Sequence, residues 1–177
     1  LLAGYFAGLV ALAAAAGAGV LVTGGMGVGA AVFLMGFAEW DRAAATAHYE
    51  RYYEWENVEP VLAKWTPYHK IEVLRSRGVP RMLLNGKQQF VGGSGTYAYF
   101  VAEHPARLLG SPRVLLLGCG SMATVGRIGG FVPEVRIVDL DAEVFGAARK
   151  YFQEYNRLDT LTNWTFAADD AKHWLGN

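Results

Sequence analysis

The chain has 177 residues, 53% hydrophobic and 18% charged, with 16 Lys and Arg balanced by 16 Asp and Glu. Without a basic excess to neutralise phosphates, the composition argues against a nucleic-acid partner. A single cysteine, Cys119, excludes an internal disulfide and any cysteine-rich zinc site.

The first element in chain order is apolar. From Leu1 to Ala38 no residue is charged, and the only polar side chains are Tyr5 and Thr23. A helix crosses a bilayer with about 20 apolar residues, so this stretch is too long for one span and barely enough for two. Gly17, Ala18 and Gly19 divide it into a clipped helix over Leu1–Ala16 and a full span from about Val20 to Trp40; Gly24-Gly25 is the alternative break. Gly25 and Gly29 stand at small-xxx-small spacing, which suits packing against further membrane helices, in other subunits or a second copy. Trp40 sits where interfacial aromatics concentrate, and Glu39, Asp41 and Arg42 mark the exit from hydrocarbon. Arg42 and Arg51 orient that exit toward the cytoplasm, which places the chain in the cytoplasmic membrane. Leu1 is preceded by neither Met nor a basic flank, so the segment reads as neither an intact start nor a signal peptide.

Residues 41–64 are expected to form a connector. Ala43, Ala44, Ala45 and Ala47 favour a helix to about Glu56, with Tyr49, Tyr52, Tyr53 and Trp55 on an aromatic side and Pro60 ending any helix. Residues 65–110 hold a small antiparallel β sheet. Its strands are Ile71–Arg75, Arg81–Leu84 and Lys87–Val91, joined by a Gly78-Val79-Pro80 turn and an Asn85-Gly86 hairpin.

Residues 111–177 carry the chemistry. Val114–Leu117 reads as a buried parallel strand running into Gly118-Cys119-Gly120-Ser121, with helical character from Met122 to Ile128. A glycine turn between strand and helix lets a ligand approach the backbone. About twenty residues further on, Val135–Val138 forms a second strand ending in Asp139, an acid placed to accept from ribose hydroxyls. Asp141 caps the helix Ala142–Tyr155, Trp164–Ala167 is a third strand followed by Asp169-Asp170, and Ala171–Leu175 opens another helix. The expected fold is therefore α/β: transmembrane helices, a small antiparallel sheet, then the front half of a Rossmann-like nucleoside-binding domain of the S-adenosylmethionine-methyltransferase type. His48, His69, His104 and His173 show no metal spacing, and no G-x-S-x-G, P-loop or H-E-x-x-H motif occurs.

Several motifs in one order make the chain, from about Trp65 to Leu175, resemble the spermidine synthase family of polyamine aminopropyltransferases, most of all its membrane-bound members. Trp65–Ile71 is similar to the Y-Q-x-I entry strand, Leu84–Gln89 to L-D-G-x-x-Q, and His104-Pro105 to H-P. Val114–Ser121 is similar to the strand and G-G-G-D loop, Val138–Asp141 to V-[DE]-[ILV]-D, and Asp170-Ala171 to G-D-A. The resemblance implies decarboxylated S-adenosylmethionine or methylthioadenosine lying across Gly118, Gly120 and Ser121, with Asp139 on the ribose, Asp170 on the adenine side and Gln89 lining the site.

The departures bear on activity. His69 replaces a Gln, Asn85 an Asp, and Ser121-Met122 the Asp-Gly of the loop. Ser94-Gly95 stands in place of D-E and Tyr99-Phe100 in place of H-E, and Asn177 precedes the family's Asp-rich catalytic loop. A diamine carries two positive charges that need carboxylates, and its attacking amine needs a base. Two readings stay open: a degenerate, non-catalytic accessory or structural subunit of a membrane assembly, or a working aminopropyl- or methyltransferase with catalytic residues beyond Asn177 or at other positions. No catalytic residue is assigned.

Overall fold

The computed structural model describes residues 20–110 and 112–176. The chain divides into two compact units, Leu1–Glu54 and Trp55–Asn177.

In the first unit, α1 (Val20–Tyr53) is one unbroken helix of 34 residues, about 51 Å at 1.5 Å per residue. The expected clipped helix and its Gly17–Gly19 break lie outside the described residues. Gly24 and Gly25 fall inside α1, so the alternative break there does not occur. Asp41 and Arg42 do not interrupt the helix either, and the separate connector expected over 41–64 is corrected accordingly. The helix ends where Glu54 turns left-handed (φ 55°), and Pro60 lies in a strand. Near its end, aromatic rings one turn apart stack along the helix: His48 on Tyr52, and Tyr49 on Tyr53. Among the described residues no helix is long and apolar enough to cross a membrane. Two of the side chains described along the uncharged stretch, Val28 and Val32, are mostly exposed.

The second unit opens with an antiparallel meander of β1 (Val58–Trp65), β2 (Lys70–Ser76), β3 (Val79–Leu84) and β4 (Lys87–Val91), in that spatial order. It has one strand more than the sequence suggested. Both tight hairpins use two left-handed residues, Arg77-Gly78 (φ 50° and 77°) and Asn85-Gly86 (φ 53° and 75°), the turn whose twist matches paired strands. The first turn is thus one residue earlier than expected, and Val79 and Pro80 belong to β3. A helical segment unforeseen in the sequence follows: α2 (Thr96–Ala98), a π-helical turn (Tyr99–Glu103) and α3 (His104–Leu108).

The parallel sheet, in the order β5-β6-β7, comprises β5 (Val114–Leu117), β6 (Val135–Asp139) and β7 (Trp164–Ala168). Between them run α4 (Ala123–Ile128) and α5 (Ala142–Asn156), and α6 (Ala171–Gly176) closes the chain. Asp141 accepts from the Glu143 N–H and caps α5, worth about 1 kcal/mol. Helical spacing then buries Val144, Ala147, Ala148 and Phe152 on one face of α5. They pack with Val125 and Ile128 of α4, Val135 and Ile137 of β6, and Ile71, Val73 and Met82 of the antiparallel sheet, so one core joins both sheets. The expected full burial of β5 is corrected: Leu115 and Leu117 are 39% and 51% exposed, because the α4 and α5 core covers one face of that strand.

Candidate functional site

The carboxyl end of β5 turns sharply into α4, and its backbone dictates the residues. Gly118 and Gly120 have φ of 94° and 51°, a region glycine enters without steric penalty. A Cβ on Gly120 would also strike the Phe90 ring, so glycine is required there twice over. Asn156, buried at the end of α5, donates from Nδ2 to the Ser121 carbonyl at 2.5 Å and fastens the far side of the turn.

Asp139 fastens the near side. Its Oδ2 accepts from the Cys119 N–H at 2.6 Å and its Oδ1 from the Asp141 N–H at 2.9 Å. Asp141 in turn accepts from Thr66 Oγ1 at 2.7 Å, and His69 Nε2 lies 3.1 Å from Asp141 Oδ2. The strand-end acids therefore link the glycine turn to the start of β2. Asn85 is structural as well: its Oδ1 accepts from the Lys70 N–H at 2.9 Å and ties the second hairpin to β2.

The turn forms one wall of a cavity of about 580 Å³. Gln89, Gly118, Gly120 and Ser121, four of the residues singled out in the sequence, line it together. Ser94 and Cys119, both noted in the sequence, and Phe90, Tyr97 and Thr124, which were not foreseen, complete most of the wall. Neighbouring strand residues normally point to opposite faces, yet Gln89 and Phe90 both reach the cavity. The cause is a bulge. Leu83 pairs with Gln88 and Met82 with Phe90, which leaves Gln89 as the extra residue, and bulges re-aim side chains in this way. A Gly-Lys-Gln-Gln-Phe run gives no signal of it.

Asp139 stands behind the turn, and Asp170 does not join the group. Asp170 is exposed, and its Oδ1 accepts from the Lys172 and His173 N–H groups, so it caps α6. Among the described residues no cluster of three or more His, Cys, Asp or Glu side chains is placed to hold a metal ion.

Cys119 is buried in the turn. Burial first, then the charge of Asp139 and a hydrogen bond to it, push its thiol well above the ordinary range. The folded protein keeps a proton that the unfolded chain releases above about pH 8.5. The stabilisation is therefore complete below that pH and declines above it. At pH 8 the native thiol is expected to resist aromatic disulfide reagents, and to react at once in denaturant; an absorbance assay of released thiolate reads both.

No family model and no curated protein sequence matches the chain. Solved structures do. Over 66% of this chain the crystal structure of spermidine synthase from Thermotoga maritima superposes with a TM-score of 0.60 at 16% identity. The fold is spermidine synthase-like. A spermidine synthase in complex with the transition state analogue AdoDATO superposes over the same share with a TM-score of 0.59 at 17% identity. The chain spans 43% and 42% of the lengths of these two proteins. The likeness establishes the α/β architecture, an antiparallel sheet followed by a three-stranded parallel Rossmann-like sheet.

Proposed function

We propose that the chain is a membrane-anchored, spermidine synthase-like protein that retains an adenosyl-binding cavity but has lost polyamine turnover, and serves as an accessory or structural subunit of a membrane assembly. One observation carries the reading: a cavity of nucleoside size is walled by a strand-end glycine turn that an acid holds in place, yet every residue lining it is uncharged. The positive-φ glycines and the aromatic faces of Phe90 and Tyr97 suit a sugar and a base. With no carboxylate on that wall, nothing there pairs with a doubly charged diamine or takes a proton from its amine.

The test has two arms on the detergent-solubilised full chain. Calorimetry is expected to give micromolar binding of methylthioadenosine. Incubation with putrescine and decarboxylated S-adenosylmethionine is expected to give no spermidine. Spermidine formation would favour the second reading, an active aminopropyltransferase, which the position of Asp139 against the glycine turn supports.

Anchoring draws on the uncharged run through Ala38, of which Val20 onward forms the first half of α1. Lipid is the expected partner there. Space beside Gly29, where an added Cβ would meet nothing within 4 Å, suits a neighbouring helix of another subunit or a second copy. Val28 and Val32 lie one turn apart on an exposed face. Arginine at a helix centre opposes insertion by about 2.5–3.5 kcal/mol per residue. The Val28→Arg/Val32→Arg protein is therefore expected to leave alkaline-carbonate-washed membranes for the supernatant, while the unaltered chain stays in the pellet.

A further inference from the structure

Beside the nucleoside cavity lies a second one of about 330 Å³, and Ser94 and Ala123 line both. The charge in the second cavity is the reverse of what a diamine needs. Its lining includes two cationic residues, Arg127 and Arg157, and a single acidic one, Glu103. That carboxylate is already engaged: Glu103 Oε2 accepts from Arg127 Nε at 2.6 Å and Oε1 from Arg107 Nε at 3.2 Å. These contacts, Arg127 foremost, hold the Glu103 carboxyl below the ordinary carboxylate range. Two arginines thus hold one acid, and a third, Arg157, lines the same cavity. The Arg157 side chain has no hydrogen-bond or ion-pair partner among the described residues.

The backbone makes room for this arrangement. A Cβ on Gly95 would come within 2.5 Å of Arg127 Nη1, so the guanidinium lies directly over that glycine. Its Nε serves Glu103, which leaves the terminal nitrogens as donors, and guanidinium groups bind carboxylates with a strong geometric preference.

We propose that this second cavity receives the carboxylate of an adenosyl ligand's amino-acid arm, so that the chain selects S-adenosylmethionine over its decarboxylated form. The inference rests on the adenosyl reading of the first cavity and names the ligand class for it. The two compounds differ only in that carboxylate, which makes them a clean pair.

The experiment is calorimetry of the detergent-solubilised full chain with methylthioadenosine, decarboxylated S-adenosylmethionine and S-adenosylmethionine. It is run on the unaltered protein and on Arg127→Gln, Arg157→Gly and the double variant. Arg157 has φ of 52°, so glycine removes its charge without backbone strain. A charge-assisted contact to the carboxylate is expected to make S-adenosylmethionine bind about tenfold or more tighter than the decarboxylated form. The preference should shrink in Arg157→Gly, vanish in the double variant and weaken as salt rises, with methylthioadenosine affinity unchanged. If methylthioadenosine binds but the decarboxylated compound binds equally or better, or the preference survives in Arg157→Gly and the double variant, the inference is overturned and the adenosyl reading stands. If methylthioadenosine does not bind the unaltered protein, the adenosyl reading fails and takes the inference with it. Thermal melts report folding, and should Arg127→Gln unfold through loss of its Glu103 contact, Arg157→Gly alone decides.

Discussion

Asp139→Asn is expected to weaken both the glycine turn and nucleoside binding, although it changes only one atom of the side chain's outline. The two carboxylate oxygens accept from two backbone N–H groups, of Cys119 and of Asp141. An amide offers one acceptor oxygen and turns an NH2 group toward the other N–H. One charge-assisted bond is lost and two donors face each other, a loss of about 1.5–3 kcal/mol of folding stability at a half-buried site. Methylthioadenosine affinity is expected to fall about tenfold or more, because the glycine turn that walls the cavity loses the bond that holds it at Cys119. Asp139→Ala should abolish it. Urea unfolding and calorimetry read the two effects separately. Unchanged affinity in Asp139→Ala, with only stability reduced, would show that the cavity does not depend on the turn Asp139 holds.

The second large effect belongs to Gly126, which lines the second cavity and not the first. A Cβ there would collide with the backbone carbonyl of Asn156, and with its Cα at 3.0 Å. Main-chain atoms in a helix end cannot swing aside as a flexible side chain can, so α4 and α5 must separate. Gly126→Val is expected to destabilise by about 3 kcal/mol, at the upper end for overpacked cores. For a unit of this size that lowers the melting temperature on the order of ten degrees. Function should suffer in step, because Asn156 is also the residue that fastens the Ser121 carbonyl. Gly130→Ala is the control: a Cβ at Gly130 meets nothing within 4 Å and should change little. A melting temperature shared by both variants would contradict the close approach of the two helices.

The parallel half of the fold was legible because its signals are local. An apolar run ending in Gly-x-Gly, and another ending in Asp, each mark a strand's carboxyl end. Those ends lie where expected, at Leu117 and Asp139. The losses have identifiable causes. β1 was hidden by Pro60, which argues against an interior strand. It is tolerated here because β1 is the edge of its sheet and its register shifts between Pro60 and Leu62. The segment from Thr96 to Leu108 mixes α and π turns, so no single period runs through its aromatic residues. Asp41 and Arg42 suggested a boundary because charge changes there, but a change in charge does not by itself stop a helix.

The site was legible in its backbone and less so in its side chains. Gly118 and Gly120 announce themselves, since few sequences place such glycines after a strand without needing positive φ. Gln89 reaches the cavity through a bulge, a product of strand pairing that no local pattern encodes. Asp170 has the spacing of a ligand-holding acid, but it is spent on the free N–H groups of α6, the competing use that makes Asp a favoured helix cap. The reversed charge of the neighbouring cavity was invisible for a different reason. Arg127 and Arg157 come from the end of α4 and the residue after α5, and only the tertiary fold sets them beside Ser94.

The most direct measurement is a crystal structure of the chain grown with methylthioadenosine. The expected result is nucleoside density in the cavity, lying across Gly118–Gly120 with its base near Phe90 or Tyr97, while Asp139 holds the turn from behind. An empty cavity at saturating ligand, or nucleoside bound elsewhere, would contradict it.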